Sequence, residues 1–241
     1  MDKNTTAKLD DFRKKITEAG EHIVFHVFPT KILEMHEAVQ AAASSANSPF
    51  NASQSSGTDA TVCSPSGEDG GPKKRKREDE GAVRGATGRI CYPEAVSANQ
   101  RLVGLHTFIK RECEELGVLV DQVKLWITLT MPKIEDGDNF GVEIQTEVLS
   151  ELDRVHQSAY NLRDLARQDH LDRAKICSKL IKYPNIEDYA VALKEHDEKH
   201  LYMARENLTD IRNLYAVMTD LIHKNISKIR APKANNSMGL Y

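Results

Sequence analysis

The densest set of residues able to do chemistry is a stretch near the middle of the chain, Pro132-Lys133-Ile134-Glu135-Asp136-Gly137-Asp138-Asn139-Phe140-Gly141. Asp136, Asp138, Gly141 and Glu147 fall at the first, third, sixth and twelfth places of the spacing that wraps a calcium ion in carboxylate oxygens. The fifth place is Phe140 and the eighth, ordinarily apolar, is Glu143, so a polar helix–helix turn with two glycines is the better reading. Two histidine pairs, His22/His26 and His196/His200, are spaced i, i+4 and share a helix face. The second reads His196-Asp197-Glu198-Lys199-His200, without the glutamate that follows the first histidine in zinc peptidases, and no third ligand is apparent. Both pairs are read as packed or solvated histidines, and neither a metal nor a cofactor is expected. Cys63, Cys91, Cys113 and Cys177 keep no ligand spacing and are read as free thiols rather than as a disulfide scaffold. There is no nucleophile elbow, phosphate loop or dinucleotide fingerprint. The abundant carboxylates sit where pairing with Lys or Arg one turn away accounts for them, so an enzyme is not expected.

A second chemical feature is the run Pro72-Lys73-Lys74-Arg75-Lys76-Arg77, five cations behind a proline, answered at once by Glu78, Asp79 and Glu80. Extended basic runs of this kind are what a nuclear import receptor reads, which points to the nucleus, with the cytoplasm as a second compartment. Specific nucleic-acid binding is disfavoured. No aromatic interleaves the cations, and 33 basic against 36 acidic residues leave a net charge of −3. A mean hydropathy of −0.51 and the lack of an 18-residue apolar run argue against a membrane span. The first residues, Met1-Asp2-Lys3-Asn4, do not read as a secretory signal, so the chain is expected to stay inside the cell.

The elements that must position these residues are helical. Charged residues make up 29% of the 241 and aromatics 6%, a balance that suits long amphipathic helices better than a sheet sandwich. Apolar residues step by three and four through Leu9, Phe12, Ile16, Ala19 and Ile23. They do so again from Leu102 to Ile127, from Val148 to Ala166, and from Leu201 to Ile229. Gly57, Gly67, Gly70, Gly71, Gly81, Gly85 and Gly88, seven of the 13 glycines, crowd between Ala41 and Ala95 with four of the eight prolines. That polar stretch is predicted to be disordered, since it buries too little apolar surface to offset its chain entropy. Pro29, Pro132, Pro184 and Pro232 are read as punctuation between helices.

The fold class is therefore all-α: an elongated up-down-up-down four-helix bundle with a disordered insert between helices 1 and 2. Its segments are a first helix at 5–40, the insert at 41–95, a second helix at 96–131 and a loop at 132–141. A third helix follows at 142–182, a fourth at 186–230 and a tail at 231–241. Short links force antiparallel neighbours, so the 132–141 loop and the C-terminal tail emerge at one end, and the insert and the Tyr183-Pro184-Asn185 turn at the other. Rods this long have much lateral surface, and association into an oligomer is expected.

Lys133 through Val142, followed by Ile144-Gln145, resembles the activation loop of the REG-type (PA28/11S) proteasome activators. Phe28-Pro29 with Lys31-Ile32-Leu33-Glu34 is similar to the end of that family's first helix. Val123-Lys124-Leu125-Trp126 lies just before the loop. Ala174-Lys175 through Lys182-Tyr183-Pro184 and Glu187-Asp188-Tyr189 resemble the turn into the last helix. The likeness covers roughly residues 5–40 and 98–241, and the basic insert suggests the nuclear gamma-type branch, built from one subunit type. The resemblance implies a homoheptameric ring stacked on the α-subunit ring of the core proteasome. Met238, Gly239, Leu240 and Tyr241 would dock, and Lys133, Ile134, Glu135, Asp136, Gly137, Asp138, Asn139, Phe140 and Gly141 would press on the gate, without ATP or catalysis. The family pattern has asparagine where this chain has Asp138. The alternatives from the residues alone are a nuclear helical scaffold without gate opening, and a calcium- or zinc-responsive helical protein.

Overall fold

The computed structural model describes residues 2–51, 54–63, 83–84, 90–91, 95–133 and 139–233. A first rod runs without interruption through α1 (Lys3–His22), one π-helical turn (Ile23–Val27) and α2 (Phe28–Ser44). Three long helices follow: α3 (Gln100–Thr130), α4 (Phe140–Lys182) and α5 (Asp188–Arg230). Between rod and α3, β1 (Val62–Cys63) pairs antiparallel with β4 (Ala95–Val96), and β2 (Val83–Arg84) with β3 (Ile90–Cys91). None of the described helices is long and apolar enough to cross a membrane.

Cross-helix pairs set the directions. Lys31 meets Glu112 while Gly20 meets Trp126, so the rod and α3 are antiparallel. His106 meets Asp169 and Lys124 meets Asp153, which reverses α4 against α3. Arg173 meets Asp197 and Gln145 meets Ile229, which reverses α5 against α4. The order is up-down-up-down, as connectivity predicts. Each of α4 and α5 has 43 residues, about 65 Å at 1.5 Å per residue. The three- and four-residue stripes from Leu102, Val148 and Leu201 onward face the shared seam, where Leu116, Val120, Leu208, Ile211 and Tyr215 are fully buried.

The first stripe behaves differently. Ile23 is buried and Ile16 lies against the core, but Leu9 and Phe12 are exposed, at 39% and 46%. The reason is register. With Gly20 against Trp126 and Glu21 paired to Arg230, residues 3–15 run past the ends of α3 and α5. By the helical rise they overhang by on the order of 20 Å.

Pro29 is not a boundary, which corrects its reading as punctuation. Proline in a helix removes a donor and crowds the carbonyl one turn back. Here the preceding turn is π-wound, with the Phe28 N–H donating to the Ile23 carbonyl five residues earlier. The next bond in that register would need an N–H on Pro29. His223 Nε2, on α5, donates to the orphaned Val24 carbonyl instead, at 3.0 Å, and its ring stacks on Phe25. The rod therefore bends its hydrogen-bond pattern without breaking.

The stretch expected to be disordered from Ala41 is also partly folded. α2 continues to Ser44, and Phe50 is buried edge-on against Phe108. The Arg101 guanidinium donates to the carbonyls of Pro49, Asn51, Gln54 and Ser55. Farther on, Asn99 caps α3 by accepting from the Leu102 N–H, and its amide donates to the Ser56 carbonyl and to Asp197. One aromatic anchor and a few side chains that satisfy backbone carbonyls replace the hydrophobic period that would have flagged this segment. The run Pro72 to Arg77 lies outside the described residues.

A test of the rod's seat on α3 is Gly20→Ala. Helix propensity alone would favour the alanine by about 1 kcal/mol, but the new Cβ would stand 2.6 Å from Trp126 Cβ. Overpacking should win, lowering stability by about 1–3 kcal/mol. Urea unfolding followed by emission of Trp126, the sole tryptophan, reads it directly; a higher midpoint in the variant would show that the contact relaxes freely.

Candidate functional site

α5 ends at Arg230, and its last carbonyls lack intrahelical donors. One of them, on Ile229, accepts from Gln145 Nε2 at 2.8 Å, and Gln145 is completely buried. Gln145 occupies a seam position of α4, three residues before Val148, where the pattern calls for an apolar side chain. Its amide closes the end of the neighbouring helix instead of filling core.

One turn earlier, Gly141 lies against the chain that leaves α5. A Cβ there would be 2.1 Å from the Pro232 carbonyl oxygen and 2.6 Å from its Cα. Only glycine permits this approach. Lys233 Nζ reaches the Lys133 carbonyl at 3.5 Å, and Lys228 Nζ stands 5.8 Å from the centre of the Phe140 ring. Glu143 in the first turn of α4 and Lys228 and Arg230 in the last turn of α5 each suit the sign of the nearby helix end. The loop after α3, the start of α4 and the root of the tail are thus joined at one end of the bundle.

The predicted site residues divide accordingly. Lys133, Asn139 and Phe140 are exposed at this end and Gly141 is buried in it. Ile134, Glu135, Asp136, Gly137 and Asp138 lie outside the described residues, as do Met238, Gly239, Leu240 and Tyr241. The loop is shorter than expected, because α4 begins at Phe140, so Phe140 and Gly141 belong to its first turn. The same fact disposes of the calcium spacing, since residues 140–147 of that span are helical. Asn139 precedes the helix without capping it through its side chain.

Of the histidine pairs, His22 and His26 are exposed on the rod. His196 and His200 are not solvated: both face the buried Asp169, as does His106 from α3. Burial alone would raise the Asp169 carboxyl, but the His106 hydrogen bond and the other imidazoles outweigh it and hold it below the usual carboxylate range. Burial pushes His200 below the usual imidazole range. Spacing could not reveal this cluster, since its members come from three helices. Gln145, Asp169 and Arg173 were nonetheless findable as polar residues in apolar phase.

Residues 3–45 match the N-terminal domain of proteasome activator PA28 and residues 95–239 match its C-terminal domain. The chain belongs to the PA28 proteasome activator family. Among PA28 relatives, "Proteasome activator complex subunit 3" of Pongo abelii is 34% identical over 248 residues, covering 100% of this chain and 98% of the relative. The Gallus gallus protein of the same name is 34% identical over 257 residues, with the same coverage. Among solved structures, the 11S subunit of the Plasmodium falciparum proteasome, PA28, superposes with a TM-score of 0.75 at 29% identity, over 97% of this chain and 96% of that one. An activator crystallised with an archaeal 20S proteasome superposes at 0.65 with 15% identity, over 98% and 99%, a likeness of fold.

The close approach at Gly141 makes a prediction. Gly141→Ala should prise the tail root from α4, so trypsin should cut after Lys233 several-fold faster while the helix content of the bundle is kept. Equal cutting rates would mean that the Pro232 backbone is not held there.

Proposed function

We propose that this chain is an ATP-independent, non-catalytic activator that docks on the α-subunit ring of the core proteasome and opens its gate. One observation carries the reading: in a member of the PA28 family, the root of the C-terminal tail and the start of the gate-facing loop are fastened together at one end of the bundle, through Gln145–Ile229 and Gly141–Pro232. A chain built this way can anchor by its tail and present its loop beside the anchor. Met238, Gly239, Leu240 and Tyr241 dock, with the terminal carboxylate as anchor. Lys133 through Gly141 meet the gate.

The working form is a homoheptamer. Exposed apolar side chains along the rod and the long helices, among them Leu9, Phe12, Val118, Tyr160, Val191 and Val217, are the surface such a ring would cover. Seven weak tails on one ring bind together far more tightly than one, because each later contact is intramolecular. The ring is nuclear, carried in by an import receptor reading Pro72 to Arg77.

Purified core proteasome from the same source, given short fluorogenic peptides, tests the proposal. The intact protein should stimulate hydrolysis, and the protein lacking Met238–Tyr241 should leave the core at its basal rate. Stimulation by the shortened chain would remove the tail from the mechanism, and a core indifferent to the intact ring would overturn the function.

The loop is separable from the tail. Asn139 is exposed and its side chain caps nothing, so Asn139→Ala should fold and co-sediment with the core as the parent does. It should lose most of the stimulation. Undiminished peptide hydrolysis with this variant would take Asn139 out of gate opening.

A further inference from the structure

Toward the end of the bundle opposite the loop and tail, two helices bring three imidazoles to a carboxylate on a third. Asp169 of α4 is 1% exposed. Its Oδ2 lies 2.7 Å from His106 Nε2 of α3, and its Oδ1 lies 2.7 Å from His196 Nε2 and 3.2 Å from His200 Nδ1, both of α5. The donor atoms of His106, Asp169 and His200 all fall within 4.8 Å of one another.

Among the described residues no lysine or arginine pairs with Asp169. Arg173, one turn along α4, gives its guanidinium to Asp197 at 2.9 and 3.4 Å and to the Ser97 carbonyl. A carboxylate buried among imidazoles is an expensive arrangement unless a positive charge completes it. The cluster is not needed to fill the seam, whose neighbouring layers are closed by Leu102, Leu105, Ile109 and Leu201.

We propose that His106, Asp169 and His200 ligate one zinc ion, with His196 positioning the carboxylate. Zinc takes imidazole nitrogen and carboxylate oxygen at about 2.0–2.2 Å in a tetrahedron, which sets its donors a little over 3 Å apart. The separations above bracket that value, so side-chain adjustments within the bundle suffice. Two imidazoles in three donors select against calcium and magnesium, which want oxygen. His196, hydrogen-bonded to the ligating carboxylate, is the kind of outer partner that fixes a ligand's orientation. An open pocket of about 400 Å³, lined by Asn99, His170, Arg173 and Cys177 among others, reaches the cluster at Asp169. It supplies the ion's entry and room for a water in the fourth position. The ion would fasten α3, α4 and α5 beside the insert.

The test uses the full chain, stripped with a chelator, dialysed against micromolar Zn²⁺ and assayed for bound metal and melting temperature. The expected result is one ion per chain and a higher melting temperature. Co²⁺ in place of Zn²⁺ should give the intense visible bands of a tetrahedral site. His106→Gln and His200→Gln should each abolish stoichiometric binding while keeping the helical spectrum. His196→Gln should weaken it by about 10–100-fold. His22→Gln, on the exposed face of the rod, should bind as the parent does. A folded parent that retains no zinc, or retention undiminished in both ligand variants, overturns the site; full affinity in His196→Gln overturns the positioning role. The readout needs no proteasome, so it stands apart from the activator reading.

Discussion

Helices that bury a common apolar seam are free to slide past one another, because a stripe repeating every three or four residues fits itself again one heptad along. Everything else in this bundle depends on removing that freedom. Three contacts do so. Gly20 against Trp126 seats the rod on α3, where a single methyl would collide. Gln145 on the Ile229 carbonyl locks α4 to α5 at one end. Near the other end, Arg173, Asp197 and Asn99 lock α4, α5 and the start of α3, with Thr58 of the insert joining through Asp197. Polar groups suit this task because a slipped register would leave them buried and unpaired, a penalty that apolar side chains do not carry. The apolar stripes hold the helices together and the polar exceptions choose how.

That division also separates what could be read from sequence from what could not. The stripes from Leu102, Val148 and Leu201 have a period, and short links leave two antiparallel turns, so bundle, order and the end shared by loop and tail were all legible. Pro29 misled because its effect depends on a residue nearly two hundred positions away: His223 meets the carbonyl that the proline cannot. Arg101 and Phe50 were invisible for a related reason, since both hold a segment with no period of its own. Leu9 and Phe12 kept the right spacing yet face solvent, because spacing says which face is apolar and not how far the partner helix extends. At the candidate site the loop motif and the short links place the loop and the root of the tail at one end, and the contact between Lys233 and the Lys133 carbonyl joins them there. The joints behind the loop, Gly141 on Pro232 and Gln145 on Ile229, depend on where two helix ends meet in space, which no spacing along the chain encodes.

The two ends of the bundle contrast in chemistry. At the loop end, the joints are small and mostly neutral: a glycine, an amide and a few lysines at the rim. At the insert end, charge is buried in layers, with Asp169 and Asp197 inside and the imidazoles and Arg173 around them. Buried ion pairs and hydrogen bonds hold that end, whereas the loop end is governed by close backbone contact.

The overhanging start of the rod has a thermodynamic consequence. Residues 3–15 are the exposed part of α1, running past the ends of α3 and α5, and a segment of about 13 residues with little tertiary support is marginal in water. Its helix–coil balance is therefore set by its surroundings and not by the bundle it is attached to. A neighbour that covers Leu9 and Phe12 would shift that balance toward helix. Were that neighbour a second copy of the chain, the heat released as the arm winds, and the protection of its amides, would track association.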